Sequence, residues 1–132
     1  MRILALPLIL AACAASPPAC PTGMQPATRL EGYFGRNAGG AERVTEAGWA
    51  RFLEEVVTPA FPDGLTVLEG AGQWRGRGGA VVRERSKVLV VAVPGADAAG
   101  ATARLAPVVA AYRSRFGQDS VMVTTTAACM GF

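Results

Sequence analysis

The run Val88–Val93 (Val-Leu-Val-Val-Ala-Val) constrains this chain more than any other feature. A strand sends successive side chains to opposite faces, so a run that is apolar at every position has two faces to bury. That pattern belongs to a central strand of a covered sheet. The rest of the chain must then supply flanking strands and a layer to pack on them. Leu65–Arg75 and Ala80–Val93 are rich in β-branched residues and are joined by Gly76-Arg77-Gly78-Gly79. Gly78-Gly79 suits a two-residue type I′ turn, which needs positive φ twice. That turn sets a register with Trp74 opposite Arg83, Gln73 opposite Glu84, Gly72 opposite Arg85 and Gly70 opposite Lys87.

Two segments carry the helical period. From Thr45 as N-cap to Thr58, residues Trp49, Phe52, Leu53, Val56 and Val57 make one apolar stripe. Glu46 suits the positive end of its dipole and Pro59 stops it. Asp97 caps a second helix that runs to about Phe116, with Leu105, Val108 or Val109, Tyr112 and Phe116 as its stripe. Pro107 should kink this helix or move its start toward Thr102. Gly117 suits the left-handed residue after the helix. A first strand is expected over Arg29–Arg36 and a last one over Ser120–Phe132. Asn37–Val44 reads as a Gly-rich loop without the Gly-Lys-Ser/Thr of a phosphate loop.

The order is β-α-β-β-α-β. It predicts an α+β, ferredoxin-like sandwich: a four-stranded antiparallel sheet, spatial order 4-1-3-2, with two helices on one face. In that topology the first and last strands are antiparallel neighbours. Cys20 and Cys129 then meet at one corner, and a disulfide between them is expected.

The N-terminus reads as an export signal. Met1-Arg2 is followed by about ten apolar residues and then small ones, too short a stretch to span a bilayer. Leu10-Ala11-Ala12-Cys13 resembles the bacterial lipobox, in which the cysteine is acylated and the chain is cut before it. Two or more acyl chains anchor stably where one does not. The alternative is an ordinary secretory peptide cut near Ala15 or Ala19. Residues 1–12 are therefore read as a lipoprotein signal peptide, 13–28 as a Pro/Ala-rich tether and 29–132 as a single α+β domain. The expected location is the bacterial cell envelope, held to the membrane by the lipid on Cys13.

Composition narrows the chemistry. The 132 residues include no histidine, which excludes His general bases, Ser-His or Cys-His nucleophile pairs and His-containing metal sites. Three cysteines are too few for a thiolate zinc cage, so no metal is expected. Gly70-Ala71-Gly72-Gln73-Trp74-Arg75-Gly76 looks like a dinucleotide loop, but its spacing is wrong and a strand follows, so no cofactor is expected. The net charge of +3 is too weak to imply nucleic acid, and export argues against it.

Three blocks carry a family resemblance: Phe61-Pro62-Asp63-Gly64-Leu65-Thr66-Val67-Leu68, Gly72-Gln73-Trp74-Arg75 and Glu84-Arg85-Ser86-Lys87-Val88-Leu89-Val90. Tyr33-Phe34-Gly35-Arg36 and the Trp49 to Pro59 helix fit the same pattern. Over residues 29–132 the chain resembles a group of small exported bacterial proteins with a domain of unknown function. The resemblance implies an envelope protein, often a lipoprotein, and no activity. Gly48 stands where a capping-box acid is expected and Gly32 where an apolar strand residue is expected. Both predict a less stable copy of the same fold.

The candidate binding residues are Tyr33, Arg36, Gln73, Trp74, Glu84, Arg85 and Lys87. In the expected register, Gly70 and Gly72 face Arg83, Arg85 and Lys87. This makes a shallow basic groove rimmed by Trp74 for an anionic or sugar-like ligand. A solvated face with Trp74 lying over Arg83 is the alternative. Glu69, Gln73, Glu84 and Ser86 fall on the other face, where Glu84 either pairs with Arg75 or Arg36 or serves as a general acid. The chain is thus read as a non-enzymatic, lipid-anchored module that binds a ligand, a second copy or an envelope protein. The alternative is a small His-independent hydrolase or isomerase using Glu84 or Glu69 as acid/base, with Tyr33 as acid or Lys87 as nucleophile.

Overall fold

The computed structural model describes residues 19–132. The signal peptide over 1–12 and the lipid-bearing Cys13 lie outside the described residues. The elements are β1 (Gln25–Gly35), β2 (Asn37–Ala38), β3 (Ala41–Glu42), α1 (Glu46–Phe52), a π-helical turn (Leu53–Val57), α2 (Thr58–Ala60), β4 (Thr66–Arg75), β5 (Val81–Pro94), α3 (Ala98–Phe116) and β6 (Met122–Met130). The large sheet has the order β4-β5-β1-β6, with every neighbour antiparallel. Counting its strands along the chain, this is 4-1-3-2, the ferredoxin-like α+β sandwich. The apolar run of β5 lies between β1 and β4 as expected, but only one of its faces is buried: Leu89, Val91 and Val93 enter the core, while Val88 and Val90 are half-buried and Ala92 is exposed on the face that no helix covers.

Leu30, Phe34, Leu89, Val91 and Val93 point from the sheet into the core. Trp49, Phe52 and Val57 meet them from the first helical segment, and Leu105, Val108 and Tyr112 from α3. The centre is aromatic. Phe34, Trp49, Phe52 and Tyr112 contact one another with ring centroids 4.8 to 6.5 Å apart, mostly tilted or edge-to-face. The Tyr112 hydroxyl donates to the Gly35 carbonyl at 2.8 Å, which satisfies its one polar atom.

Both helix caps form as the sequence predicts. Thr45 Oγ1 accepts from the Gly48 amide at 3.0 Å, and Asp97 Oδ1 accepts from the Gly100 amide at 2.7 Å. The first helix extends past Thr58 to Ala60. Its turn widens just ahead of Pro59, which has no N–H to continue the ladder, and the Thr58 amide reaches back to the Leu53 carbonyl. Pro107 neither delays nor divides α3, which runs unbroken from Ala98 to Phe116. Gly117 closes it at φ 64°.

Four expectations are corrected. β1 begins at Gln25, so residues 25–28 belong to the sheet and not to the tether. Residues 37–44, read as loop, contain the β2–β3 hairpin. The link between β4 and β5 is a three-residue loop with only Gly79 at positive φ, so it is not a type I′ turn. The extra residue shifts the register by one, which exchanges the faces of β4 relative to β5. Trp74 pairs with Val82, Gly72 with Glu84, Gly70 with Ser86 and Glu69 with Lys87. Finally, Gly32 is not a defect: a Cβ there would sit 2.8 Å from the Phe34 ring, so glycine lets that ring cross the sheet.

The disulfide between Cys20 and Cys129 forms at the β1–β6 corner, with Cα atoms 5.6 Å apart and 109 residues between them in sequence. Closing a loop of that length restricts the unfolded chain by about 5 kcal/mol in entropy models. We expect reductant, or Cys129→Ser, to lower the melting temperature by several degrees. Identical melts with and without reductant would count against the bond.

Candidate functional site

Beyond the end of β1 the β4–β5 hairpin continues beside the β2–β3 hairpin, and the Arg36 amide donates to the Arg85 carbonyl at 3.0 Å while Asn37 Nδ2 donates to the Arg83 carbonyl at 3.4 Å. Between them is a cleft of about 460 Å³, lined by Asn37, Glu42, Gln73, Arg83, Glu84 and Arg85 among others. Behind its lining residues Glu42 and Arg85 runs an ion-pair network on the helix side of the sheet. Arg36, only 1% exposed, aims its guanidinium at three acceptors. Nε donates to the Val44 carbonyl at 2.8 Å, one Nη to Glu42 at 3.0 Å and the other to Glu46. Lys87, 3% exposed, donates to Glu46 at 2.6 Å and to Glu69. Arg85 closes the outer end with two bonds to Glu42, at 2.7 and 3.0 Å. Three cations thus face three carboxylates, and the two buried cations lie under carboxylates that remain in contact with water.

The Arg85 hydrogen bonds, with the charges of Arg36 and Arg85, hold the Glu42 carboxyl below its ordinary range. Hydrogen bonds from Lys87 and Arg36 do the same for Glu46. Burial pulls the Lys87 ammonium down, but its bonds to Glu46 and Glu69 outweigh that and hold it above the ordinary lysine range. Lys87 is thus held as a cation between two carboxylates, and Glu69 is occupied as its partner.

Glu84 lies on the other face of β5, the face that no helix covers. The Trp74 indole N–H donates to its Oε1 at 3.1 Å and the Asn37 amide to its Oε2 at 3.1 Å. Neither donor is a cation, and Glu84 makes no ion pair among the described residues. It pairs with neither Arg75 nor Arg36; Arg75 donates instead to the Gly79 carbonyl at 3.2 Å. Room for the carboxylate comes from Gly35, where a Cβ would stand 2.7 Å from Oε2. Leu68, Trp74 and Met122 are each about half exposed on this uncovered face. Tyr33 is there too, donating to Glu31 at 2.6 Å. That bond, then the Arg29 partner, keeps the Glu31 carboxyl below its usual range despite some desolvation.

The structure therefore brings Gln73, Glu84 and Arg85 to one cleft and buries Arg36 and Lys87 behind it, outside its lining. It sets Trp74 beside Glu84 and leaves Tyr33 apart. The expected basic groove does not form. Gly70 and Gly72 face Ser86 and Glu84, while Arg83, Arg85 and Lys87 share the helix side with Gln73 and Glu69. Trp74 holds Glu84 and does not lie over Arg83. Asn37, Glu42 and Glu46 were not legible as site residues. The Gly-rich loop gave no pairing signal, and Glu46 looked sufficient as a helix-dipole acid.

An α+β sandwich with a charged cleft at one end of its sheet is the class these features define. A family model described as "Protein of unknown function (DUF3574)" matches residues 29–132, and the chain belongs to that family. A search of curated proteins finds no match. Among solved structures, a phage SAM lyase in complex with S-methyl-5'-thioadenosine is similar at TM-score 0.61 and 16% identity, over 80% of this chain and 90% of that one. A phage SAM lyase in the apo state is similar at TM-score 0.56 and 15% identity, over 89% and 97%. At these identities the likeness is one of fold.

The network ties stability to pH. Glu42 and Glu46 titrate below their ordinary value of 4.5 when folded, so their contribution is complete above that pH and is lost as pH falls through the folded values. We expect the melting temperature to drop on acidification below 4.5. Glu46→Gln should flatten that drop and also lower stability at pH 7, because it leaves two buried cations short of a partner. A Glu46→Gln melt that matches wild type at both pH values would refute the assignment.

Proposed function

We propose that this chain is an exported, lipid-anchored envelope protein whose folded domain binds a small polar ligand in the cleft between the β2–β3 and β4–β5 hairpins. The observation that carries the reading is a pair of cleft residues, Arg83 and Glu84, that have no ion-pair partner among the described residues although every charge behind them is paired. A cleft wall of fixed ion pairs is rigid, and rigid polar walls favour ligand recognition over adaptive packing. The disulfide is compatible with a compartment outside the cytoplasm.

A second reading has one specific support. Glu84 is a carboxylate without a cation, and the phage SAM lyases show that an enzyme can be built on a similar fold. Glu84 would then serve as acid or base in a small hydrolase or isomerase. Recovering the bound compound chemically unchanged after long incubation would dispose of this reading.

Two experiments address the main proposal. Cys13→Ser should release the protein from the membrane fraction, and unchanged membrane association would contradict the lipid anchor. The purified mature protein, incubated with the small-molecule fraction of its host's envelope and washed by ultrafiltration, should retain a compound detectable by mass spectrometry. Arg83→Ala should lose it. Equal retention by wild type and variant, or none by either, would sink the ligand site.

A further inference from the structure

We propose that β6 is the interface of a dimer. Two copies pair their β6 strands antiparallel about a two-fold axis perpendicular to the sheet, giving one eight-stranded sheet with the two α3 helices side by side over the join. This goes beyond the ligand-binding reading above and does not depend on it.

β6 ends the sheet, and among the described residues its backbone bonds to no element but β1. About half of the amides and carbonyls of such a strand point outward, where another strand can pair with them. Sheet edges are ordinarily guarded by charge, proline or a bulge. β6 has none of these. Met122–Met130 (Met-Val-Thr-Thr-Thr-Ala-Ala-Cys-Met) contains no charged residue and no proline, and its register with β1 runs without interruption from Met122 to Met130. The opposite edge is guarded: β4 carries Glu69 and Arg75 and is broken by Gly70 and Gly72. Thr124, Thr126 and Ala127, in the middle of β6, are exposed.

The helix layer at this edge identifies the partner as a second copy. α3 packs on β6 and β1, and on its outer side it leaves a groove of about 250 Å³ lined by Leu105, Ala106, Val109, Ala110 and Val123 among others. An axis perpendicular to the sheet keeps both helix layers on one side and makes the paired strands antiparallel, so the apolar flank of one α3 meets the same flank of the other. Parallel pairing would put the two helix layers on opposite faces and leave both grooves open. The spacing also fits. Strands lie about 4.8 Å apart, so helices seated over β1 and β6 of each copy stand about 10 Å apart across the axis, the distance at which helices pack. Arg113, the one charged residue of the groove lining, lies at its end, and the two-fold carries its counterpart to the opposite end, so like charges do not meet. The edge is about 30 Å long in both layers and roughly 20 Å deep. Such a face buries on the order of 600 Å² per copy, about 1,200 Å² in all, which reaches the lower end of stable specific interfaces.

The test is analytical ultracentrifugation of the mature chain carrying Cys13→Ser, which bears no lipid, over a concentration series. We expect a monomer–dimer equilibrium. Thr126→Lys on the strand and Ala106→Lys on the helix should each weaken association about tenfold or more, because each sets like charges against one another across the two-fold. Both positions are exposed in the single copy, and a cooperative thermal melt of each variant confirms that it folds. Leu68→Lys, on the uncovered face at the opposite edge of the sheet, should leave the dimer at wild-type strength. A chain that stays monomeric at every concentration overturns the proposal, as does a discrete species larger than a dimer. A dimer that either edge substitution leaves at wild-type strength also overturns it, and so does one that Leu68→Lys breaks, since that dimer is joined through the sheet face.

Discussion

Two buried cations organise this end of the molecule. Arg36 follows the last residue of β1, and Lys87 stands in the middle of β5 opposite Phe34. Each is almost wholly removed from water, and a cation so placed costs several kcal/mol unless it is paired and hydrogen-bonded. The acceptors come from four other places: the carbonyl of Val44, Glu42 on β3, Glu46 in the first turn of α1 and Glu69 on β4. Satisfying the two cations therefore fixes where the β2–β3 hairpin, α1 and the edge strand stand relative to the sheet. The backbone of Arg36 adds to this, since its carbonyl accepts from Arg43 at 2.8 Å and Val44 at 3.2 Å. Arg36 holds this hairpin from the inside, while Arg83, Glu84 and Arg85 of β5 bond its Asn37 and Glu42 from the other side.

The parts legible from sequence were those set by local chemistry. The Thr45 and Asp97 caps, the Gly117 terminus and the alternation of Leu30 and Phe34 against Glu31 and Tyr33 each depend on residues within a few positions of one another. The topology followed because the periodicities occur in an order with few compact solutions. The candidate site was only half legible. Gln73, Glu84 and Arg85 were singled out and do meet. Asn37, the partner of Glu84, and Glu42, the partner of Arg85, stand 47 and 43 positions away, and Glu46 stands 41 from Lys87; no local pattern marks a pairing over that separation.

The hairpin register shows how a small misjudgement spreads. A two-residue loop at Gly78-Gly79 and the observed three-residue loop differ by one position. Because side chains alternate with period two, that single step changes which residues share a face along the whole arm. The slip turned an ion pair, Glu69 with Lys87, into a glycine facing a cation, and so produced a basic groove that does not exist. Gly78-Gly79 was an ambiguous signal, because a type I turn followed by one left-handed glycine uses the same residues.

The glycines explain why the cleft has charge to offer. Gly35 sits opposite Ser86 and Gly72 opposite Glu84, on the two strands that flank β5. A side chain at Gly35 would occupy the space of the Glu84 carboxylate, whereas a Cβ at Gly72 would meet nothing nearer than a backbone oxygen at 4.0 Å. One glycine is thus required to seat the carboxylate, and the other leaves open space beside it. A strand gains stability from cross-strand side-chain pairs, and glycine forgoes them. Glu84 is consequently held by an indole and a backbone amide, groups that orient it but leave it charged. An arginine at position 72 would instead have made the carboxylate one more structural ion pair. The sheet sacrifices packing at this corner, and what it obtains is an oriented anion one residue from an unpaired cation.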